Sequence, residues 1–441
     1  MKPWLLLLCT INTATAAWWL DRETEWQFQD RLIAPERQRR SDRLGRAVAI
    51  SKQSIVVGAY WDSSPETLYV GAVHVYTPGE RFYQHNDVWK HRAKVTSRDV
   101  SPLDQYGSTV DLYGNTLVVG VPFFDGDVGT DQGGVFVYQG GTDPETWIEL
   151  QLLRASNAGR DDQFGVSVAV YENTLVVGAP MNDPSNVNNA GAAYVLQKHG
   201  DVWTETTILT PMDVAPDDFF GGVVSIHDDI IVVGARGKDT TATDSGAVYV
   251  FTRDAFDVWT EETILTAMTE NHGYGVATAT DGTTIVVGAI RDGTLGTNAG
   301  AVFVYSRDNG DWTLDAKLVA GDGKAGDQFG IAVAVDGNVI VVGAHFDDVA
   351  ELSNVGSAYV FRKVNGSWSE EQKLTACDGS PGDGYGFSVD VEGDQIVVGS
   401  FASDIMHHLG RDAGVGYVYK YDRKRRRLRS RRCRRRNSDG N

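Results

Sequence analysis

The sequence predicts an all-β protein: a seven-bladed β-propeller of four-stranded blades, closed by its N-terminal strand. Three observations lead to this prediction. A four-part sequence phrase recurs seven times at spacings of 54 to 62 residues, and each part has the pattern of one β-strand. At the chain ends, the fourth part occurs before the first repeat and is missing after the last one. A fixed period of this size indicates an architecture in which one small unit is repeated.

The first two parts of the phrase predict a hairpin. The first part is Asp-x-aromatic-Gly, followed by alternating small and apolar residues such as 166–170, which is the period of a strand. The second part is an apolar run ending in Val-Val-Gly, as expected for a strand covered on both faces. Short turns such as Asp281-Gly282 connect the two. The Val-Val-Gly glycines are Gly58, Gly120, Gly178, Gly234, Gly288, Gly343 and Gly399.

The last two parts predict the outer strands of each unit. The third part is Gly-x-x-aromatic-Val-aromatic, as in residues 246–251, and the fourth is a Trp with an aliphatic residue six positions later, as in Trp259 and Leu265. We find no amphipathic helical stretch in the repeats. The tryptophans recur in phase with the aliphatic residues, so we interpret them as blade core: Trp26, Trp89, Trp147, Trp203, Trp259, Trp312 and Trp368.

The chain ends indicate how the ring closes. The Trp26 strand precedes the first Asp-x-aromatic-Gly, and no Trp strand follows the last third part, residues 414–419. We therefore expect the N-terminal strand to be the outermost strand of the last blade. An open solenoid would instead need capping units, which the sequence does not show.

The chain resembles the FG-GAP repeat family, whose members include the N-terminal propellers of integrin α subunits. The naming phrase stands here as Phe164-Gly165 with residues 178–180, Gly-Ala-Pro, and the resemblance covers about residues 24–421. It implies a propeller with a role in adhesion. Integrin-type blades often carry a calcium loop between their first two strands. This chain has only short turns there, which cannot supply six to eight oxygen ligands, so those sites are not carried over.

The two ends of the chain differ from the repeats. Residues 1–17 have the charged start, apolar run and small-residue cleavage site of a signal peptide, which predicts a secreted, extracellular protein. Residues 18–422 form the predicted propeller. A bridge between Cys377 and Cys433 is disfavoured because Cys433 lies in the tail. Asn365 begins a sequon and is a candidate glycosylation site.

Charge is divided unevenly along the chain, whose net charge is −19. Residues 423–441 hold eleven Lys or Arg residues and one acid, and we expect this tail to be disordered. It is a candidate to contact an anionic polymer or surface, or to offer dibasic sites to a protease. No specific nucleic acid is predicted as a partner. We also predict no transmembrane segment, because no run is long and apolar enough to span a bilayer.

Acidic residues gather at one predicted face, where each blade enters its first strand and leaves its second. Aspartate at such a turn commonly bonds nearby backbone N–H groups. The alternative is a ring of carboxylates that binds cations or basic partners. The candidate ligand-face residues are Asp42, Asp104, Asp162, Asp218, His272, Asp327 and Asp383. The candidate metal ligands, in loops that fall short of a full calcium motif, are Asp125, Asp127, Asp131, Asp347 and Asp348.

These observations favour an interaction or adhesion module that binds a protein or glycan through its acidic loop face. We see no zinc spacing, nucleophile elbow or phosphate loop, and we predict no enzyme and no cofactor, with calcium left open. Two alternatives remain. One is a hydrolase or glycan-cleaving enzyme on a propeller scaffold, since propellers host many functions. The other is a structural matrix protein attached through its basic tail.

Overall fold

The computed structural model describes residues 25–35, 42–52, 54–63, 68–79, 89–127, 129–240, 242–267, 273–308, 310–404 and 412–422. Within these residues the chain forms seven four-stranded antiparallel sheets. The helical content of the same residues is one 3-10 turn, Pro184–Asn186. The predicted seven-bladed β-propeller is therefore confirmed.

The strands of the first half follow one another in chain order. The N-terminal strand is β1 (Glu25–Leu32). Blade 1 contains β2 (Leu44–Ser51), β3 (Ser54–Ala59), β4 (Ala72–Pro78) and β5 (Trp89–Val95). Blade 2 contains β6 (Thr109–Tyr113), β7 (Thr116–Val121), β8 (Gly134–Gly140) and β9 (Trp147–Leu153). Blade 3 contains β10 (Ser167–Tyr171), β11 (Thr174–Ala179), β12 (Ala192–His199) and β13 (Val202–Leu209).

The second half repeats the same order. Blade 4 contains β14 (Phe220–His227), β15 (Ile230–Ala235), β16 (Ala247–Arg253) and β17 (Trp259–Thr266). Blade 5 contains β18 (Tyr274–Thr280), β19 (Thr284–Ala289), β20 (Ala301–Asp308) and β21 (Asp311–Leu318). Blade 6 contains β22 (Ala332–Asp336), β23 (Val339–Ala344), β24 (Ser357–Val364) and β25 (Ser367–Leu374). Blade 7 contains β26 (Tyr385–Glu392), β27 (Gln395–Ser400) and β28 (Val415–Asp422).

The N-terminal strand closes the ring, as predicted. β1 is the fourth strand of blade 7 and pairs antiparallel with β28, with Trp26 opposite Tyr421. The Trp26 side chain is 2% exposed, and its indole N–H donates to Glu371 Oε2 of blade 6 at 3.0 Å. One blade is thus built from both ends of the chain, and its outer strand also contacts the preceding blade.

The repeated glycines face one another where adjacent blades meet. A Cβ placed on Gly58 would lie 2.1 Å from the carbonyl oxygen of Gly107 in blade 2. The last blade meets the first in the same way, with a Cβ on Gly399 placed 2.1 Å from the oxygen of Gly45. Glycine is required here because the inner strands approach too closely for any side chain.

Valine, tyrosine and tryptophan side chains fill the space between blades. In the core between blades 2 and 3, Val118 and Val135 pack in one cluster with Phe164, Val177 and Trp203. Residues of the second strands point alternately to the blades before and after them, which explains why these strands are apolar without a break. Each core therefore belongs to two neighbouring blades.

Three sequence predictions fall outside the described residues: the signal peptide, His272 and the arginine-rich tail.

Cys377, against the expectation from the sequence, is disulfide-bonded, and the other two cysteines of the chain lie outside the described residues. Asn365 lies exposed in the β24–β25 turn, and its glycosylation stays a prediction. None of the described helices could cross a membrane.

Candidate functional site

The alternating strand directions give the propeller two loop-bearing faces. We define the loop face as the one formed by the turns before each first strand and the loops between each second and third strand. The opposite face carries the first hairpin turns and the connections before the Trp strands. The loop-face ends of the seven inner strands surround the propeller axis, and we call this region the axial mouth.

The predicted ring of aspartates lies on the loop face, with its carboxylates turned into the protein. Five of them each accept a hydrogen bond from the backbone N–H three residues earlier: Asp104, Asp162, Asp218, Asp327 and Asp383, at 2.6 to 2.9 Å. These five and Asp42 are all buried. Such contacts are those of turn caps, which hold the chain as it enters each blade.

Burial also raises the pKa of four of these aspartates and so lowers the negative charge that they present. It raises the pKa of Asp104 to about 6, although the hydrogen bond from the Ser101 backbone N–H acts in the opposite direction. It raises the pKa of Asp383 to about 7, where the nearby carboxylate of Asp404 adds to the shift. A group that ionises near neutral pH presents less negative charge than an exposed aspartate would. The ring is therefore a weaker anionic surface than its composition suggests.

The candidate metal ligands of blade 2 lie in the loop between β7 and β8. Asp125 Oδ1 accepts the backbone N–H of Asp131 at 3.1 Å, and Asp127 pairs with Arg154 at 3.1 Å. Asp125 therefore stabilises the conformation of its own loop. Asp127 contacts a neighbouring guanidinium and does not form a joint metal site with Asp125.

The candidates of blade 6 have similar partners. Asp347 pairs with Lys373 Nζ at 2.6 Å and accepts the Tyr359 hydroxyl at 3.1 Å. Asp348 Oδ1 accepts the backbone N–H of Asn354 at 2.9 Å. Across the described part of the chain, no group of three or more His, Cys, Asp or Glu residues is arranged to hold a metal ion. The assignment of these aspartates as candidate metal ligands stays a prediction.

Two positions of the repeat depart from its pattern at the axial mouth. One directly follows the first-strand glycine, and its seven residues are Arg46, Ser108, Val166, Gly222, Val276, Ile331 and Phe387. The other is the second residue after Val-Val-Gly: Tyr60, Pro122, Pro180, Arg236, Ile290, His345 and Phe401. Sequence reasoning missed them because it sought what the repeats share. Comparison of the same position across repeats would have found them.

Blades 6, 7 and 1 bring five of these residues together. We call Arg46, Tyr60, His345, Phe387 and Phe401 the Arg46 cluster. The guanidinium carbon of Arg46 lies 4.3 Å from the ring centre of Phe387 and 5.8 Å from that of Tyr60. The Phe387 ring lies 4.6 Å from Phe401 and 5.3 Å from His345. Aromatic faces therefore surround a positive charge, an arrangement stabilised by cation–π attraction.

The charges of the Arg46 cluster are unusual for the loop face. Within the described ranges, Arg46 makes its contacts with aromatic rings and forms no ion pair. Burial lowers the pKa of its guanidinium from the ordinary value. Burial also lowers the pKa of His345 to about 4, and the charge of Arg46 adds to that shift. The cluster thus combines one positive charge with a neutral imidazole at physiological pH.

A second cationic position lies on the loop face of blades 4 and 5. Arg236 stacks on Phe219 at 5.4 Å. The two side chains, together with Val276, Ile290 and Arg291, line a cavity of about 300 Å³. Arginine and aromatic residues therefore recur at the mouth, although the chain as a whole is acidic.

The opposite face holds a larger groove between blades 6 and 7. Its volume is about 690 Å³, and Trp26, Asp336, Arg362 and Tyr421 contribute to its walls. Arg362 stacks on Tyr421 at 4.4 Å and pairs with Glu371 at 2.8 Å. The arginine of this groove therefore already has a carboxylate partner, unlike Arg46.

Comparison with known proteins matches the geometry of the repeats. The FG-GAP repeat family matches seven segments, residues 26–76, 89–138, 147–196, 203–251, 259–305, 312–361 and 368–419. The chain belongs to the FG-GAP repeat family. Each matched segment of this FG-GAP propeller runs from the outermost strand of one blade to the third strand of the next. The family repeat therefore links neighbouring blades, and its first copy includes the closing strand β1.

Solved structures share the fold of this FG-GAP propeller. One is a crystal structure assigned as a 6-phosphogluconolactonase from Bacteroides uniformis. It has a TM-score of 0.50 and 11% sequence identity, over 75% of this chain and 85% of that one. The similarity at this identity concerns the fold alone. No curated protein matches the sequence.

Proposed function

We propose that this FG-GAP propeller is an extracellular interaction module that binds a protein or glycan at the axial mouth of its loop face. The observation that carries the proposal is the Arg46 cluster, which breaks the repeat at the point where three blades meet. Residues that serve the fold recur in nearly every blade, as the glycines and the turn aspartates do. A group found once has no such explanation, and a ligand supplies one.

The composition of the mouth supports binding. Arginine and aromatic side chains are enriched in interfaces and contribute most of the energy at their centres. In the described part of the loop face, the turn aspartates contact backbone N–H groups, and Asp62, Asp292 and Asp347 pair with lysines. At the axial mouth itself, the groups left to meet a ligand are cationic and aromatic. This shifts the proposed contact from the carboxylate ring to the mouth inside it.

The hydrolase alternative is less well supported. A general acid or base needs a titratable group within reach of substrate and a pKa near the working pH. Burial holds His345 neutral with a pKa of about 4, and the rings of Phe346 and Phe387 lie against it at 3.8 and 5.3 Å. A shared fold with a lactonase-like propeller does not by itself supply a catalytic pair of groups.

The proposal is tested with the full chain on an array of glycans and peptides. The variants are Arg46→Gln, combined with Phe387→Ala, and the control Arg253→Gln on the opposite face. We expect binding that disappears in the double variant and persists in the control. Binding that survives the double variant, or that the control removes equally, would contradict the proposal. Circular dichroism of each variant verifies the fold.

A further inference from the structure

We infer that the Arg46 cluster binds the carboxylate of an acidic sugar, a hexuronate or a sugar acid of similar shape. This inference rests on the proposed function and specifies its ligand. Four features of the axial mouth lead to it: an unpaired guanidinium, buried nitrogen atoms without partners, partly exposed aromatic rings, and the acidic charge of the rest of the chain.

The first feature is positive charge without a counter-ion. Arg46 is half-buried among aromatic rings, and the described residues supply it with no carboxylate. Arg43 lies beside it and stacks on Trp61 at 5.4 Å and on Phe401 at 5.2 Å. The ion pair of Arg43 with Asp412 is long, at 3.8 Å. A guanidinium removed from water is stabilised best by a planar, bidentate acceptor, which a carboxylate provides.

The second feature is a set of buried nitrogens in one place. Arg43 Nε, Trp61 Nε1 and His345 Nδ1 are all buried and have no hydrogen-bond partner in the described protein. The indole and the guanidinium can only donate, and a neutral imidazole has one N–H to donate. His345 itself is only 5% exposed. Two of the three nitrogens, on the guanidinium and the indole, are donors, and buried donors left unpaired are costly, so the site favours a ligand that brings acceptor oxygens.

Single unpaired indoles occur elsewhere in the propeller and do not identify a site. Trp147, Trp203 and Trp312 of the outer strands also have buried indole N–H groups without a partner. The mouth differs because an unpartnered indole nitrogen and an unpartnered imidazole nitrogen, from two different blades, lie beside two guanidinium groups.

The third feature is the shape of the surrounding surface. Tyr60, Trp61, Phe387 and Phe401 are all partly exposed, so their rings offer flat apolar surfaces beside the charge. The apolar face of a pyranose ring packs against such rings while its hydroxyl groups and carboxylate meet donors. A peptide aspartate carries its carboxylate on a flexible stem and uses such a platform less well. The rings therefore favour a sugar over an acidic peptide.

The fourth feature limits the ligand's charge. The chain has a net charge of −19, so a densely charged polyanion is repelled at long range. One carboxylate, approaching a local pair of arginines, gains the short-range attraction without that repulsion. The site therefore fits a sugar with a single negative charge.

The experiment compares two probes that differ in one group: methyl β-D-glucuronide, with a carboxylate, and methyl β-D-glucoside, with a hydroxymethyl group. Titrations of the full chain are followed by NMR or calorimetry. We expect the glucuronide to bind more tightly by roughly tenfold to a hundredfold, as for a charge-assisted hydrogen-bonded pair. Arg46→Gln should reduce its affinity to that of the glucoside, and Arg253→Gln should leave it unchanged.

A conservative variant separates recognition from folding. Arg46→Lys keeps the charge but loses the planar fork, so we expect an intermediate affinity for the glucuronide. If Arg46→Gln fails to fold, Phe387→Leu is used instead, since it removes the ring beside the guanidinium and keeps the apolar volume. A folded Phe387→Leu variant with unchanged glucuronide affinity would overturn the role of the rings.

Some results would overturn only the acidic-sugar ligand, and others would overturn the proposed function as well. Equal affinities for the two probes, or no binding of either, would overturn it. Tighter binding of N-acetyl-aspartate amide at the same residues would replace the sugar with a peptide and leave the proposed function intact. An array on which no ligand depends on Arg46 and Phe387 would remove the proposed function as well.

Discussion

At the scale of single residues, half-buried carboxylates connect neighbouring blades of this propeller. Two of them lie on inner strands and bond across to the next blade. Asp111 Oδ2 accepts the backbone N–H of Val170 at 2.7 Å, and Asp390 Oδ2 accepts that of Ile50 at 2.7 Å. Burial raises the pKa of Asp111 to about 6 and that of Asp390 to about 8. The blade contacts that they make therefore depend on pH.

The protonation of Asp390 predicts the direction of that dependence. The folded state holds its proton up to a pH of about 8, whereas an ordinary aspartate releases it near 3.8. The folded state thus binds more protons between these values, and stability falls as pH rises through this window. Asp390→Asn should remove part of the fall, by about 1.4 kcal/mol or more at pH 8, the equivalent of one pKa unit. Denaturant unfolding at several pH values measures it.

Two neighbours and one control define the test of Asp390. Asp111 and Glu392 add to the rise of the Asp390 pKa, so the variant should also ease the ionisation of Asp111. Asp201→Asn, at an exposed turn, should leave the slope unchanged. A wild-type protein that gains stability between pH 4 and 8, or a variant with the same slope, would contradict the prediction.

At the scale of strands, the propeller depends on contacts between neighbouring blades. The second-strand glycines lie against backbone carbonyls of the next blade, where a side chain cannot be moved aside. The outer strand β1 closes blade 7 through Trp26, which packs 5.1 Å from the Tyr421 ring. Both features connect elements that are distant in the chain or belong to different repeats.

Gly120→Ala tests the contact between blades. The new Cβ would lie 2.1 Å from the carbonyl oxygen of Gly165, so the inner strands must separate. We expect a loss of about 1–3 kcal/mol or more in the free energy of unfolding, as for overpacked cores. Gly293→Ala is the matched control, because no heavy atom lies within 4 Å of its Cβ. Equal melting temperatures for the two variants would contradict the explanation.

Trp26→Ala tests closure by the N-terminal strand. The substitution removes a buried indole and its hydrogen bond to Glu371, and we expect a loss of about 3–5 kcal/mol. Deletion of residues 24–34 should lower the melting temperature further. Ile33→Ala, at a side chain 42% exposed just after β1, should have little effect. Closure would be unimportant for stability if the deletion variant melted at the wild-type temperature.

At the scale of the whole molecule, the loop face combines an acidic composition with a cationic centre. Most of its described aspartates bond to their own turns or pair with lysine or arginine side chains, while the arginines near the axis contact aromatic rings. The contacts of each charged side chain therefore decide whether that side chain is accessible to a ligand. The repeated aspartates predicted an acidic binding face, and the structure directs attention to the arginines inside it.

Calcium provides the corresponding test on the whole protein. Thermal melts of the full chain are compared with calcium, with magnesium and with chelator. A ligand that binds only the folded state raises stability, by about 2.7 kcal/mol at a hundred times its Kd. We expect the three melts to coincide, because four of the five candidate aspartates already accept backbone N–H groups or pair with basic side chains. A rise specific to calcium would identify the Asp125 or Asp347 loops as metal sites.

The sequence by itself determined the architecture of this protein, because each blade is encoded locally. The phrase around Phe164-Gly165 and Gly178 specifies strands, turns and close packing with the next repeat, and the phase at Trp26 predicted closure. The structural role of the turn aspartates could also be predicted from the sequence, because their hydrogen bonds join residues only three positions apart.

Only the tertiary structure decided where a ligand site could lie. Arg46 and Tyr60 come from the first blade, while His345, Phe387 and Phe401 come from the last two. Ring closure makes these blades neighbours. No local sequence pattern predicts which of their side chains then contact one another. The burial that shifts the pKa of His345 and leaves Arg46 without a counter-ion exists only once the ring has formed.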